Sequence, residues 1–148
     1  MRLAYALAAS LLLATHAGAA PIIQNVSGWV VTQVTPGGCT GRRAGAEVNT
    51  SFLINDRDRV VLMTARPEWR LEPKAIKATL TIDDQPPIAV SVDSLMVMVL
   101  FEPETAAFEN RLLAAKTLQW HYPWGDFTAD VTGIANAVEA VRQCNKQP

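Results

Sequence analysis

The sequence predicts one β-rich α+β domain, built as a single antiparallel sheet or sandwich with one inserted helix and a C-terminal helix packed on it. Two observations predict this class. Over most of the chain, short runs of alternating apolar and polar residues are separated by polar turns, as in β-hairpins. Apolar residues recur at helical spacing only in two late segments. Strands followed by helices in this order are typical of an α+β domain.

The first half of the chain is expected to form β-hairpins. Residues 28–34 are rich in β-branched and aromatic side chains and form the first predicted strand. Residues 47–54 alternate in polarity, and a polar turn at 55–58 joins them to a return strand at 60–65. The remaining expectations here are a short lead-in at 22–25, a loop or short strand at 39–43, and turns at 67–69 and 71–73.

The second half begins with another hairpin and then changes period. Residues 78–82 and 88–92 are predicted strands around a polar turn. Residues 95–101 are apolar on both faces and are predicted to form one central strand. From 103 to 116 apolar residues recur at helical spacing, with Pro103 suited to a first helical turn.

The last quarter is predicted as a strand at 118–122, a tight turn at 123–126, a strand at 127–129 and a helix at 131–144. Asp130 is the expected N-cap of that helix, because short acidic side chains favour this position. The apolar stripe of the helix is formed by Ile134, Val138 and Val141, and Cys144 falls on the same face.

The first 19 residues have the pattern of a secretory signal. Arg2 precedes an apolar run at 3–14, and Ala17 and Ala19 supply the small residues needed for cleavage after Ala19. Residues 20–148 are then one domain, expected in the periplasm or secreted. No later apolar run has the length of a membrane span, so none is expected in the mature chain.

The charge of the mature chain argues against a nucleic-acid partner. Arg2 is the only Lys or Arg in the first 19 residues, which hold no acid, so residues 20–148 carry 12 basic and 14 acidic side chains. Nucleic-acid-binding proteins usually present a basic face, and this balance does not provide one.

The two cysteines, Cys39 and Cys144, are expected to form a disulfide, because paired cysteines in an exported chain are usually oxidised. Closing so long a loop could stabilise the fold by ~4–5 kcal/mol. Whether the bond lies within one chain or between two chains is open at this stage, although a monomer is expected.

The residues needed for common catalytic sites are scarce. His121 is the only histidine after residue 19, and one imidazole cannot supply an ordinary zinc site. No serine lies in a Gly-x-Ser-x-Gly turn, and no phosphate-binding loop or dinucleotide fingerprint is present. The expectation is therefore a protein without enzymatic activity, catalytic residues, metal or cofactor.

Aromatic and basic residues are the candidates for partner binding. Trp124 lies on a predicted tight turn, where burial is least assured, and aromatic residues often dominate binding interfaces. Tyr122 and His121 precede it. Arg42 and Arg43 follow Cys39 and could bind an anionic group of a partner or form a solvated patch.

Two segments carry a resemblance to a known family. They are Arg70-Leu-Glu-Pro with Ala78-Thr-Leu-Thr-Ile-Asp83, and Leu112-Leu-Ala-Ala-Lys-Thr-Leu-Gln-Trp120 with Gly125-Asp-Phe-Thr-Ala-Asp-Val-Thr-Gly-Ile134-Ala-Asn-Ala-Val. This pattern resembles the invasion-associated locus B family of small exported bacterial proteins over the last two-thirds of the chain. The resemblance implies a bacterial, periplasmic, β-rich protein and assigns no catalytic residues.

The function expected from these observations is non-enzymatic binding of a protein partner at the bacterial envelope. An immunity or inhibitor protein for an exported enzyme is one alternative. A small-ligand carrier, using the space between the sheet and the helix, is another.

Overall fold

The fold was determined as a computed structural model that describes residues 22–148. The expected signal sequence and its cleavage after Ala19 lie outside the described residues. Within these residues the chain forms ten strands and two helices. In chain order they are β1 Ile22–Val26, β2 Trp29–Thr35, β3 Gly38–Arg43, β4 Asn49–Ile54, β5 Val60–Ala65, β6 Leu71–Ile82, β7 Ile88–Met96, β8 Met98–Phe101, α1 Ala106–Leu113, β9 Thr117–Tyr122, β10 Gly125–Asp130 and α2 Ile134–Asn145.

All ten strands belong to one antiparallel sheet with the order β1-β2-β3-β4-β5-β8-β7-β6-β9-β10. The predicted β-rich class is confirmed, and of the two arrangements expected the structure has the single sheet. Hairpins connect most neighbours, because short turns separate the strands. Two pairs of neighbouring strands are not consecutive in sequence. These pairs are β5 with β8, and β6 with β9, and α1 precedes β9 in the chain.

The sheet curls so that its two ends approach each other. Arg43 in β3 forms an ion pair with Asp130 at the end of β10, with Nη2 and Oδ2 2.8 Å apart. The backbone N–H of Thr128 in β10 donates to the carboxylate of Glu47, which precedes β4. The right-handed twist of neighbouring strands accumulates over ten strands and accounts for this curvature.

The inward-facing side chains of the curled sheet form one hydrophobic core. Trp29 and Phe52 are fully buried and meet edge to face, with ring centroids 5.4 Å apart. Gly41 lies beside them, and a β-carbon at that position would overlap the Phe52 ring. Helix α2 lies against β1 to β4 and buries its apolar stripe.

Helix α1 is tied to α2 by a buried carboxylate. Glu109 of α1 is 7% exposed and accepts a hydrogen bond from Arg142 of α2, with Nη2 and Oε1 3.4 Å apart. It also accepts from the backbone N–H of Val60 at 3.3 Å. Arg59 places Nη1 3.8 Å from the same carboxylate. Because the charge is buried, these partners are needed to offset its desolvation.

Two stretches expected outside strands are in fact paired. The lead-in at 22–25 forms most of β1 and pairs with β2. The expected turn at 71–73 lies within β6, where the register shifts between Leu71 and Lys74. This irregularity accommodates Pro73, which has no N–H to donate to a regular ladder. Residues 39–43, left open between loop and strand, pair with β2 and β4 and are a strand.

The prediction of one central strand at 95–101 is wrong. Leu95 pairs with Met98, so Met96 and Val97 form a two-residue turn between β7 and β8. Met96 adopts a φ of 55°, which methionine rarely does. The run of apolar residues gave no sign of this turn, since two-residue turns normally contain Gly, Asn or Asp.

The start of the last helix also differs from the prediction. Helix α2 begins at Ile134 after Gly133, which has a φ of 78°. Asp130 is the last residue of β10 and caps the preceding turn instead, accepting from the N–H of Thr132 at 2.9 Å.

The two cysteines meet at disulfide distance. Cys39 in β3 and Cys144 in α2 have their α-carbons 6.0 Å apart and are 105 residues apart in sequence. The backbone N–H of Cys39 also donates to Asn145 Oδ1 at 2.8 Å. Helix and sheet are thereby joined at the end of the chain. In residues 22–148, neither helix has the length and apolar composition needed to cross a bilayer.

Candidate partner-binding surface

Three aromatic residues stack in a column that ends at the turn between β9 and β10. Tyr122 stacks on Trp120 with ring centroids 5.6 Å apart and planes 10° from parallel. It stacks on Trp124 at 4.9 Å and 15°. Trp120 and Tyr122 share the inner face of β9 because side chains alternate along a strand. Tyr122 pairs with Gly125, so Pro123 and Trp124 form a two-residue turn that continues the column outward.

Trp69, between β5 and β6, braces this column from the side. Its ring meets Tyr122, Trp124 and Phe127 edge to face, with centroid distances of 5.9, 5.7 and 5.2 Å. The guanidinium of Arg66 lies 5.2 Å from the Phe127 ring centroid. Sequence reasoning missed Trp69, because it lies about fifty residues from its partners and was interpreted only as the end of a strand. Trp124 is therefore half-buried among other rings and does not project freely.

The column carries three buried polar atoms without hydrogen-bond partners among the described residues: Trp120 Nε1, Tyr122 Oη and Trp124 Nε1. Burial raises the pKa of Tyr122 well above its ordinary value, and the nearby Thr64 hydroxyl offsets part of the rise without reaching hydrogen-bond geometry. Tyr122 therefore remains neutral and packs as an aromatic ring, and its hydroxyl makes no hydrogen bond to the described residues.

Two adjoining grooves open beside Trp124. The first has a volume of about 500 Å³ and is walled by Pro123 and Trp124 on one side and by the start of β6 on the other. The second has a volume of about 580 Å³, lies toward Met96 and Val97, and shares Arg70, Leu71 and Glu72 with the first. We call this continuous region, from Trp124 to Met96, the Trp124–Met96 surface.

The far end of this surface exposes large apolar side chains. Met96 is 66% exposed and the adjacent Leu95 is 43% exposed. Of the two, only Met96 lines the groove. An apolar side chain exposed beside an apolar groove forms part of a contiguous patch, and such patches mark binding surfaces. Both Leu95 and Met96 were predicted to be buried in a central strand, so this region was not recognised from the sequence.

His121 belongs to the opposite, outer face of the hairpin. Its Nδ1 lies 2.8 Å from Asp126 Oδ1, and the two residues are directly paired across β9 and β10. Both side chains are substantially exposed. His121 is thus close to Trp124 in sequence but forms a cross-strand polar pair outside the aromatic column.

Arg42 and Arg43 are not neighbours of the Trp124–Met96 surface and do not share one face. Arg43 donates to the carbonyl oxygens of Ser27 and Thr132 at 3.1 and 2.9 Å and to Asp130. Asp130 ends β10, whereas Trp124 precedes its first residue, so about 20 Å of strand separates them. Arg42 alternates to the other face of β3 and is exposed.

The pKa of Asp130 is perturbed by its hydrogen bonds and, to a smaller extent, by the ion pair with Arg43. The pKa of Asp130 is lowered, first by hydrogen bonds from Thr132 and then by the positive charge of Arg43. Arg43 thus has a structural partner for each of its terminal nitrogens. Among residues 22–148, no group of three or more His, Cys, Asp or Glu side chains is arranged to hold a metal ion.

The fold is similar to one solved structure, described as the crystal structure of invasion associated protein B from Bartonella henselae. The TM-score is 0.62 and the sequence identity 15%, over 84% of this chain and 98% of that chain. This likeness bears out the resemblance at the level of the fold and says nothing of function. No family model and no curated protein matches the chain.

Proposed function

We propose that this chain is a non-enzymatic binding protein of the bacterial envelope that contacts a protein partner through the Trp124–Met96 surface. The observation that carries the proposal is Met96, a large apolar side chain that is 66% exposed at a φ of 55°. Both properties are unfavourable for the isolated fold. Backbone outliers cluster at functional sites, and this one motivates the proposal.

The composition of the surface supports contact with protein. Trp124 supplies a rigid aromatic wall held by Tyr122 and Trp69, and aromatic residues are enriched among the residues that dominate interfaces. Met96 supplies a flexible side chain that adapts to a partner. Arg70 and Lys74, both exposed beside the groove, provide the polar rim that surrounds an apolar centre in most interfaces.

Capture from a periplasmic extract tests this proposal. The purified protein is immobilised, and bound proteins are compared for wild type, Met96→Asp and Trp124→Ala. Val34→Asp is the matched control, because Val34 is 58% exposed on β2, away from this surface. We expect the same protein to be retained by wild type and the Val34 variant and lost from the other two. Equal retention by all four would refute the proposed surface.

An inhibitor or immunity protein for an exported enzyme would use the same surface. The two roles are separated by the identity of the captured partner and by its activity in the presence of this protein. Inhibition of a captured enzyme at a one-to-one ratio would assign the inhibitory role.

A small-ligand carrier is a second candidate, and the groove beside Trp124 favours it. Its volume of about 500 Å³ falls within the range of small-molecule sites. The space between α2 and the sheet does not favour it, because the stripe of α2 is almost fully buried. Native mass spectrometry of the purified protein would reveal a co-purified ligand as a mass increment, and Trp124→Ala should remove it.

A further inference from the structure

Strand β6 is much longer than the strand that covers one of its edges. It pairs with β7 from Leu71 to Leu80, but with β9 only from Thr79 to Ile82. In the part of the chain that the structure describes, no strand therefore lies beside the other edge of β6 from residue 71 to residue 77. Although β6 is an interior strand of the sheet, part of its edge is thus free to pair. This open edge lies next to the Trp124–Met96 surface.

The register identifies which backbone groups face this open edge. The N–H of Asp83 donates to the carbonyl of Thr117 at 2.9 Å, so these two opposite residues are a hydrogen-bonded pair of the β6–β9 ladder. Thr79 and His121 are opposite each other in the same register. In an antiparallel ladder, hydrogen-bonded positions recur at every second residue. Lys77 and Ala75 therefore direct their N–H and C=O groups toward the position where β9 would continue.

Strand β9 ends there for a chemical reason. Continuing the register places Pro123 opposite Lys77, and proline has no N–H to donate. The chain turns away at Pro123 and Trp124 and leaves the edge open. The groove of about 500 Å³ occupies this space and is lined by Ala75, Ile76 and Trp124.

The charges along the edge indicate what could fill it. Arg70, Lys74 and Lys77 are exposed along this part of the chain, against Glu72 and against Asp93, which is paired with Ala75 on β7. Pairing of two β6 edges from two copies would bring the cations of both onto one seam, which disfavours self-association. An acidic segment meets no such barrier.

We propose that the open edge of β6 accepts an extended, acidic segment of a partner protein as an added strand, hydrogen-bonded to Ala75 and Lys77. An apolar side chain of that segment lies in the groove against Trp124. Addition of a strand to an exposed sheet edge is a common mode of peptide recognition, in which backbone bonds give affinity and pockets give specificity. This inference rests on the proposed function and specifies the chemistry of the partner.

A synthetic peptide tests the mode directly. The probe is an eight-residue peptide, acetylated and amidated, in which glutamate alternates with valine and one central valine is replaced by tryptophan. One matched peptide carries N-methyl groups at alternate residues, which removes the backbone donors of one edge. A second carries lysine in place of glutamate. Binding is followed on the isotope-labelled full chain by the shifts and hydrogen exchange of its backbone amides.

We expect saturable binding of the acidic peptide, with exchange at the Ala75 and Lys77 amides slowed about tenfold when the peptide is at ten times its Kd. The N-methylated and lysine peptides should bind at least about tenfold more weakly. Lys77→Glu should weaken the acidic peptide and strengthen the lysine peptide. Lys146→Glu, at the end of α2, is the matched control and should change neither.

The inference is overturned if exchange at Ala75 and Lys77 is unchanged at saturation, if the three peptides bind alike, or if the acidic peptide does not bind. A lysine edge that only repels other strands would give this last result. These failures differ from failure of the proposed function. If capture from extract depends on Met96 and Trp124 but not on the charge of Lys77, the surface stands and the acidic character of the partner segment is excluded. If the amides of Ala75 and Lys77 also exchange at an unchanged rate when the captured partner is bound, strand addition is excluded.

Discussion

Arg43 and Asp130 join the third strand of the sheet to the last one, through an Nη2 to Oδ2 contact of 2.8 Å. The same guanidinium also bonds the carbonyl oxygens of Ser27 and Thr132. One side chain thus connects the β1–β2 turn, β3, the end of β10 and the segment before α2. From the sequence, Arg43 was a candidate for binding an anionic group of a partner or for a solvated patch. In the structure it forms an ion pair within the chain that links the two ends of the sheet.

Acidification should weaken this connection. The folded-state pKa of Asp130 is lowered, so the unfolded chain binds the proton more readily and stability rises with pH across this range. The contribution is present above the ordinary pKa of about 4 and is lost as pH falls through the lowered value. Asp130→Asn should therefore reduce the loss of stability between neutral and acidic pH. Urea unfolding at several pH values measures this, with Asp84→Asn, at an exposed position between β6 and β7, as the control.

Replacing Tyr122 by phenylalanine should not destabilise the protein. The hydroxyl is buried without a hydrogen-bond partner among the described residues, so its removal should raise the free energy of unfolding by about 1 kcal/mol. Chemical denaturation measures the change. Tyr122→Ala is the contrasting variant and should lose about 3–5 kcal/mol, because it also removes the ring from the column. A large loss from the phenylalanine variant would show that the hydroxyl has a partner.

High pH should also act through Tyr122. Its pKa is raised in the folded state by burial, so the folded chain keeps the proton longer than the unfolded chain. Stability is then fully present below the ordinary tyrosine pKa of about 10 and falls as pH rises above it. In a chain beginning at Ala20, Tyr122 is the single tyrosine. Its phenolate absorbance should therefore appear together with unfolding. A separate, earlier titration would contradict this.

Met96→Gly should make the protein more stable while removing the proposed partner contact. Glycine adopts a φ of 55° without strain, so we expect a gain of about 0.5–1 kcal/mol in the free energy of unfolding. Val34→Gly, an exposed position in an extended strand, should instead lose about 0.5–1 kcal/mol. Denaturation midpoints of the two variants test the pair. A destabilised Met96 variant would mean that the side chain already has a structural role.

Glu109→Ala should cost about 2–3 kcal/mol, because it removes the buried partner of Arg142 and leaves the N–H of Val60 without an acceptor. Both arginines near Glu109 are partly exposed and can turn toward water, which limits the loss. Glu139→Ala, which breaks only the exposed contact with Gln143, should change stability by less than about 0.5 kcal/mol. Thermal and urea unfolding of the two variants compare them.

Much of the fold could be predicted because local chemistry and pairing agree. The β4–β5 and β9–β10 hairpins follow from alternating residues on both sides of a polar or Pro-containing turn. The disulfide followed from the number of cysteines and from the helical spacing that places Cys144 on the apolar face of α2. The interpretations that were wrong involve local signals that tertiary structure overrides. Pro73 lies inside a strand because a bulge tolerates it, and Met96 occupies a turn position that favours other residues.

The candidate surface was only partly predictable. Trp124 could be selected from its position on a turn. Its setting could not, because the rings that hold it come from Trp69, far away in the sequence. The open edge of β6 depends on where β9 stops relative to a strand forty residues earlier. Such differences in length between paired strands are set by register, which periodicity within one strand does not reveal.

The contact between Arg43 and Asp130 has a consequence for how the chain acquires its structure. Arg43 is synthesised about ninety residues before its partner Asp130. Cys39 is synthesised 105 residues before Cys144. Contacts between such distant positions form slowly, because a long loop must first be closed. The first strands therefore lack these stabilising contacts until β10 and α2 have been synthesised. A chaperone that binds the unfolded strands until α2 has been synthesised would protect the chain from aggregation.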